Sequence, residues 1–351
     1  MTPAHERDHL DRAASAFEAQ PAAVRDRWTR ALDHVDNARV YDAFLEFNEL
    51  LKTPGLDPVT KTHAQLQAVR CLRDAPVERV KTELALIEPH DAYQTIVLDY
   101  RLGWLMRHRL ASLTAALQYF DRVREEARRL GTRPWEIAAL LQKSATLMAQ
   151  GAWEQSIEVC MRVYNLSRRN GLVEYIPKAL MNKGYALVQL GKQQQGEEQL
   201  QKAYELACRN ELAPEQGIAL HMLAQVYHHD FKFFGLALEY YEQARAVFDE
   251  VPIWPSVVER IDEDMASAQS ELAELDLAKI LGPIPIARLR QEYLTSRQPD
   301  AVGEPDRPDA AGDPPQHQQL ATRAGYKRER RMGPGPRPAL ACKRGCVKAT
   351  G

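Results

Sequence analysis

The residues in this chain whose types and spacing could do chemistry are mostly histidines and cysteines. His221, Gln225 and His228 stand four and then three positions apart, so on a helix they share one face, and His229 and Asp230 follow at its end. Imidazoles ligate metals, titrate near neutral pH, or exchange hydrogen bonds at a surface. Histidines seven positions apart lie about 10 Å apart along a helix axis, too far to share one ion without a ligand from another element. The face reads as a pH-sensitive or polar contact surface, or as ordinary surface histidine. Cys342 and Cys346 flank Lys343-Arg344-Gly345, but a zinc site wants four ligands and His317 is the only other soft ligand nearby. No nucleotide-binding glycine loop or nucleophile elbow occurs. Neither an enzyme, a cofactor nor a bound metal is expected.

Composition narrows the class further. A chain of 351 residues with 45% hydrophobic residues, 27% charged residues and a net charge of -2 is ordinary for a soluble globular protein and requires neither nucleic acid nor a membrane. The charge is unevenly spread, because residues 299–351 hold ten Lys or Arg against six Asp or Glu. This end has few apolar residues and eight prolines, too little to offset the entropy of ordering it, and is expected to be disordered. Its basic stretch, with Lys327, Arg328, Arg330 and Arg331, could make weak, sequence-independent phosphate contacts. Five scattered cysteines suit a reducing compartment. Residues 1–10 are polar, and no run approaches the ~18 apolar residues of a membrane span. A cytoplasmic protein without membrane contact is expected.

Helical spacing accounts for most of the chain up to residue 298. Residues 6–18 and 22–35 read as amphipathic helices, the first carrying Leu10, Ala14 and Phe17 and the second Val24, Trp28 and Leu32. Helices are expected at 38–52, 58–73 and 76–87, the last two opened by prolines whose missing N–H costs nothing there. From Ala92 onward they fall near 93–108, 110–130, 134–150, 153–169, 173–190, 193–210, 214–229 and 234–249. These later helices repeat. A shift of forty residues lays Ala139-Leu140 on Ala179-Leu180 and then on Ala219-Leu220, and Gly151 on Gly191. Ser144, Gly184 and Ala224 form a column of small residues, and Leu147, Leu187 and Tyr227 a large one. Ala116, Ser156, Gly196 and Ala237 make a second small column, followed by Phe120, Cys160, Leu200 and Tyr241, then Val123, Val163, Ala203 and Ala244. A fixed period of this length marks stacked helix pairs that bury a continuous core.

These columns resemble the tetratricopeptide repeat, strongly over 135–248 and fairly over 93–130. The resemblance implies an all-α, right-handed superhelical solenoid of ~40-residue helix pairs, with residues 1–91 as divergent repeats or an N-terminal cap, 92–250 as the array, and 251–298 as closing helices. In that family the first helix of each pair lines a concave groove. The corresponding positions here are Gln142 and Thr146, then Lys178, Asn182, Tyr185 and Gln189, then His221, Gln225 and His228. Amides suit an extended peptide backbone because each both donates and accepts, so a protein or peptide partner is implied. Asn182 resembles the groove asparagine of peptide-binding members. The family's two-carboxylate clamp is not reproduced, because Ala138 and Ile218 stand where partners of Lys178 would be.

Two expectations concern the C-terminal third. Ser256 and Glu259 form a capping box before a helix whose Val258, Ile261, Met265, Ala268, Leu272 and Leu275 alternate three and four apart. This helix either closes the solenoid or forms a homodimer seam through 256–276. Beyond Gly282-Pro283-Ile284-Pro285, residues 286–297 resemble the first helix of the Fis-type helix-turn-helix that ends many bacterial transcription regulators. The motif that opens the reading helix of that family is absent, yet codons permitted by residues 311–317, read one nucleotide later, can spell it. The chain therefore reads as a non-catalytic interaction scaffold, or as the sensing arm of a regulator whose DNA-reading end is missing or frameshifted.

Overall fold

The computed structural model describes residues 3–251 and 255–274. Fourteen α-helices follow one another there: α1 (Ala4–Glu18), α2 (Ala22–Asp36), α3 (Val40–Leu51), α4 (Pro58–Cys71), α5 (Val77–Ala85), α6 (Ala92–His108), α7 (Leu113–Arg129), α8 (Arg133–Ala149), α9 (Trp153–Arg169), α10 (Tyr175–Gln189), α11 (Gln193–Arg209), α12 (Ala213–Gln225), α13 (Phe234–Asp249) and α14 (Pro255–Glu274). Each helix packs on its successor from α6 to α14, and the first helices of the pairs also pack on one another, α6 on α8, α8 on α10 and α10 on α12. The result is the right-handed all-α solenoid that the repeats imply, with α4, α6, α8, α10 and α12 on its concave side. Residues 276–351 lie outside the described residues, and with them Leu275, the helix expected at 286–297, the basic stretch and the Cys342–Cys346 pair.

The repeat has a finer backbone period than the sequence displays. Ala111, Gly131, Gly151, Gly171, Gly191 and Glu211 stand twenty residues apart, and all six have φ between 50° and 75°. Each ends a helix in the left-handed conformation. From Gly131 to Glu211 the next amide closes the turn by bonding back five residues, as in Ala152 N to Leu147 O (2.9 Å) and Lys192 N to Leu187 O (2.9 Å). From α7 to α11 each helix plus turn is thus one twenty-residue unit, and glycine marks only the four turns where it relieves the steric cost.

The small columns set how closely paired helices approach. A methyl group on Gly184 would stand 2.7 Å from the carbonyl oxygen of Gly196, and one on Gly196 would stand 2.5 Å from Val188 Cγ2. α10 and α11 therefore touch backbone to backbone. Ala203, one turn beyond Leu200, is fully buried in the same seam.

Three local expectations need correction. The buried stripe of α1 is His5, Glu6, His9, Ala13 and Phe17, whereas Ala14 is exposed. Leu10 and Phe17 pack inward as expected, but His5, Glu6 and His9 share the covered face, so apolar spacing marks only part of it. Ser256 is not a cap but lies one residue inside α14, which begins at Pro255. The helix expected to run through 229 ends at Gln225 and continues as a π turn, Val226–Asp230, which widens the coil. The heptad face of α14 is spent within the chain, since Ile261 and Ala268 are fully buried and Val258, Met265 and Leu272 pack against the core of α12 and α13.

Glu211 offers a test of the turn geometry. It is exposed and holds φ 55°, so Glu211→Gly should stabilise the fold by about 1 kcal/mol. At Gly191, where nothing stands within 4 Å of an added Cβ, Gly191→Ala should cost a similar amount. Urea denaturation of both variants checks this, and a less stable Glu211→Gly protein would contradict the assignment.

A candidate binding site in the concave groove

The groove is already half filled by the chain's own first helix. α1 packs on α4 and α8 as well as on its neighbour α2, and the first half of its covered face carries a row of polar groups. Glu6, 5% exposed, meets the Arg101 guanidinium through two oxygens at 2.6 and 2.8 Å, with Arg70 3.9 Å away. Burial by itself would raise this carboxyl, but Arg101 and Arg70 hold it well below the ordinary carboxylate range. Asp8 accepts from Tyr93 Oη (2.8 Å) and Thr132 Oγ1 (3.0 Å), and Tyr93 in turn accepts from Trp135 Nε1 (2.8 Å). Arg7 reaches Glu174 at 2.6 Å.

Two histidines on this helix are built in as neutral groups. The His5 backbone N–H donates to Tyr175 Oη, and that hydroxyl, having accepted, donates to His5 Nδ1, both at 2.9 Å. Gln67 Nε2 donates to His9 Nδ1 (2.9 Å), which leaves His9 Nε2–H to donate to His63 Nδ1 (3.0 Å). Burial pushes His5 down to about 3 and lowers His9 and His63 as well.

Beside Glu6 the groove opens into a cavity of about 560 Å³. Its walls come from α1, α4, α5, α6, α8, α10 and α12, so each helix pair from α4 to α13 contributes. Leu84, Leu141, Met181, Ile218 and Met222 supply an apolar lining. Polar groups interrupt it at helical spacing: Arg70 and Arg73; Tyr100, Arg101, Trp104, Arg107 and His108; Gln142; Lys178 and Asn182. Arg73 lies 5.4 Å from the Trp104 ring centroid, and Trp104 stacks on His108 at 4.6 Å. His108 keeps an exposed edge, and partial desolvation, then the charges of Arg107, Arg73 and Arg260, lower its pKa. The lining contains no serine, threonine or cysteine. Cys71 and Cys160 are buried elsewhere, their thiols pushed up to about 12 and about 11 by that burial.

The groove positions named from the sequence divide into two sets. Gln142, Lys178 and Asn182 line the cavity. Gln142 accepts from Arg107 (2.8 Å) and donates to Tyr100 Oη (3.2 Å), Lys178 pairs with Glu215 (2.9 Å), and Asn182 donates to Ser144 Oγ (2.8 Å). The others lie away from it. Tyr185 packs edge-on against Trp153, Gln189 donates to Asp230 (2.8 Å), and Thr146 is fully buried with its hydroxyl on the Gln142 carbonyl. The histidine face meets α14: His221 (2.7 Å) and Gln225 (3.0 Å) share Asp264 Oδ2, and His228, fully buried, reaches Glu271 at 3.0 Å. The expectation that His221 and His228 stand open to solvent is therefore corrected, because α14 takes the place of a further first helix and covers them.

The arginine cluster was not anticipated. Its signal was present, since Arg101, Trp104, Arg107 and His108 recur at three- and four-residue steps on a helix that is otherwise apolar. Arg70 and Arg73 repeat the step in a stretch whose spacing had drifted from the repeat.

Comparison with known proteins agrees with this architecture. No protein-family model and no curated protein matches the sequence. Among solved structures, the chain is similar to a Signal Transduction ATPase with Numerous Domains from Pyrococcus horikoshii that has a tetratricopeptide repeat sensor, at 15% identity and a TM-score of 0.51. That match covers 86% of this chain and 47% of the other, so the chain spans about half the length of that protein. A Rap protein complexed with Competence and Sporulation Factor is similar at 12% identity and a TM-score of 0.54, covering 78% of this chain and 76% of that one. The chain folds as a tetratricopeptide-repeat solenoid. Within the tetratricopeptide array the cavity lies on the concave side, and among the described residues no helix is long and apolar enough to cross a membrane.

Two measurements probe the seating of α1. Glu6→Gln leaves Arg101 buried beside a neutral amide and should cost about 3–5 kcal/mol in urea denaturation. The histidines set a pH dependence in the opposite direction from a salt-bridged histidine. Their folded pKa values lie below the unfolded value of about 6.5, so the unfolded chain takes up protons first as pH falls. Their contribution is complete above that pH and declines below it by up to about 1.4 kcal/mol per pH unit for each histidine. Calorimetry between pH 7.5 and 5 should show a falling melting temperature, with a shallower slope in His5→Asn; a flat profile would rule out neutral buried histidines.

Proposed function

We propose that this protein is a non-catalytic interaction module that holds a peptide or protein segment in the concave groove of its tetratricopeptide array. The observation that carries the reading is the cavity of about 560 Å³, a volume typical of ligand sites, where amide and cationic side chains interrupt an apolar lining. Gln142 and Asn182 offer groups that both donate and accept, which suits a peptide backbone. Asn182 spends its amide hydrogen on Ser144, and among the described residues its oxygen accepts nothing. The lining holds fixed cations and amides but no hydroxyl or thiol nucleophile other than phenols, which supports binding rather than covalent chemistry.

The same groove supports a role as a sensing arm. α1 and the array share one polar seam, so a segment that enters beside Glu6 would alter how α1 is held. Whether the chain once carried a DNA-reading end is decided by the coding DNA around residue 298, since codons permitted by residues 311–317, read one nucleotide later, can spell the motif that opens the reading helix.

Ala145 lines the cavity from α8, and a large side chain there would fill part of it. Peptides selected on the immobilised full chain from a displayed random library should lose binding to Ala145→Trp by about tenfold or more, with the circular dichroism spectrum unchanged. Undiminished binding to a folded Ala145→Trp protein would place the peptide site elsewhere.

A further inference from the structure

The charge of the cavity is out of balance. Arg70, Arg73, Arg101, Arg107 and Lys178 line it, and among the described residues Glu6 is the one carboxylate in the lining. Glu6 is shared by Arg101 and Arg70, and Lys178 is paired with Glu215. Arg107 has neutral company: among the described residues its guanidinium bonds Gln142 Oε1 at 2.8 Å and His108 Nε2 at 3.0 Å and meets no carboxylate. His108 is held neutral, so it accepts from Arg107 and adds no charge. Burial pushes the Arg107 guanidinium down to about 10, which still leaves it charged at neutral pH. A second polar group is left unsatisfied nearby, because Arg101 Nε is buried with no hydrogen-bond partner among the described residues.

A half-buried cation without a counter-ion is costly unless an anion completes it. Guanidinium groups match carboxylates through two parallel N–H donors. Leu141, Met181, Ile218 and Met222 line the same cavity and would cover apolar atoms attached to that anion. The chain also shows the chemistry in its own first helix, where Glu6 is a carboxylate carried into this groove by a peptide segment.

From these observations we propose that the cavity is a recognition site for a carboxylate on an apolar body, with Arg107 as its principal counter-ion and the acidic side chain of a hydrophobic peptide segment as its source. This rests on the reading that the groove takes a peptide, and it specifies the chemistry of the segment. Gln142 and His108 act as positioning residues that hold the guanidinium. Residues Arg101 and Arg70 are already occupied by Glu6, so the incoming carboxylate adds to that pair and does not replace it.

The test uses the full chain and two hexapeptide pools with Leu, Phe, Val and Ala randomised around a central Glu or a central Gln, with N-octanoyl-glutamate as a non-peptide arm. The Glu pool should bind at least about tenfold more tightly than the Gln pool in fluorescence anisotropy. Arg107→Met should abolish that preference without lowering the melting temperature of the free protein, since it removes an uncompensated charge. Arg107→Lys should keep part of the preference, and it provides the comparison if Arg107→Met does not fold. Equal binding of the two pools, or an unchanged Glu preference in folded Arg107→Met, overturns the carboxylate assignment while leaving the peptide reading intact. Binding of N-octanoyl-glutamate that depends on Arg107, with no binding of either pool, keeps the carboxylate site and overturns its peptide source. Binding of no probe overturns both.

Discussion

The contact between Glu6 and Arg101 is the constraint on which the groove depends. One carboxylate, almost wholly buried, is held by two guanidiniums from α6 and α4, and it fixes where α1 lies. Once α1 is placed, α4 is covered on nearly every side, which is why Thr60, Thr62, His63 and Gln67 are buried there beside Ala64 and Leu66. Tyr93, Trp135 and Tyr175 also become interior residues, each satisfied by a polar group of α1 or by one another. An ion pair taken out of water gains little net stability but penalises every arrangement that breaks it. The seam thus specifies the position of α1, while the apolar anchor of that helix is Phe17 stacked on Trp28 at 4.2 Å.

The array itself obeys a different rule. Its geometry is set by backbone approach at the small columns and by the left-handed turn every twenty residues, so neighbours determine each pair and the stack extends by repetition. The two rules meet at the ends. α1 folds back onto the concave side near the start, and α14 covers α12 near the finish, where Asp264 and Glu271 receive His221, Gln225 and His228. The segment left open lies between these covers, at Arg107, Gln142 and Asn182. The proposed binding site is therefore what the flanking helices leave uncovered.

Electrostatics separate this cavity from the chain as a whole. The net charge of -2 gives no hint of a cationic pocket, because the compensating acids are distributed over outer faces where water screens them. Inside the groove the low-polarity walls lengthen the reach of each guanidinium. The concentration of arginine on α4 and α6 is what makes the middle of the groove cationic.

Much of the architecture was legible from local pattern. Helix boundaries from 38 to 249 follow from apolar spacing and from Gly131, Gly151, Gly171 and Gly191, since a helix end needing positive φ leaves its mark in the residue itself. The forty-residue columns identified the pairing because close backbone approach at Gly184 and Gly196 admits only small residues. Of the groove positions, Gln142, Lys178 and Asn182 could be placed by counting from those columns. Counting failed for His221, Gln225 and His228, because whether a groove face is open depends on α14, which is a separate stretch of chain. It failed most clearly for α1, where Leu10 and Phe17 pack inward as expected but Ala14 is exposed and the polar His5, Glu6 and His9 share the covered face. The sequence alone determined the helices, their pairing and the solenoid, all consequences of contacts between near neighbours. Only the tertiary structure decided where α1 rests and which cations share a cavity, because contacts such as His5 with Tyr175 join residues far apart in the chain and leave no period to read.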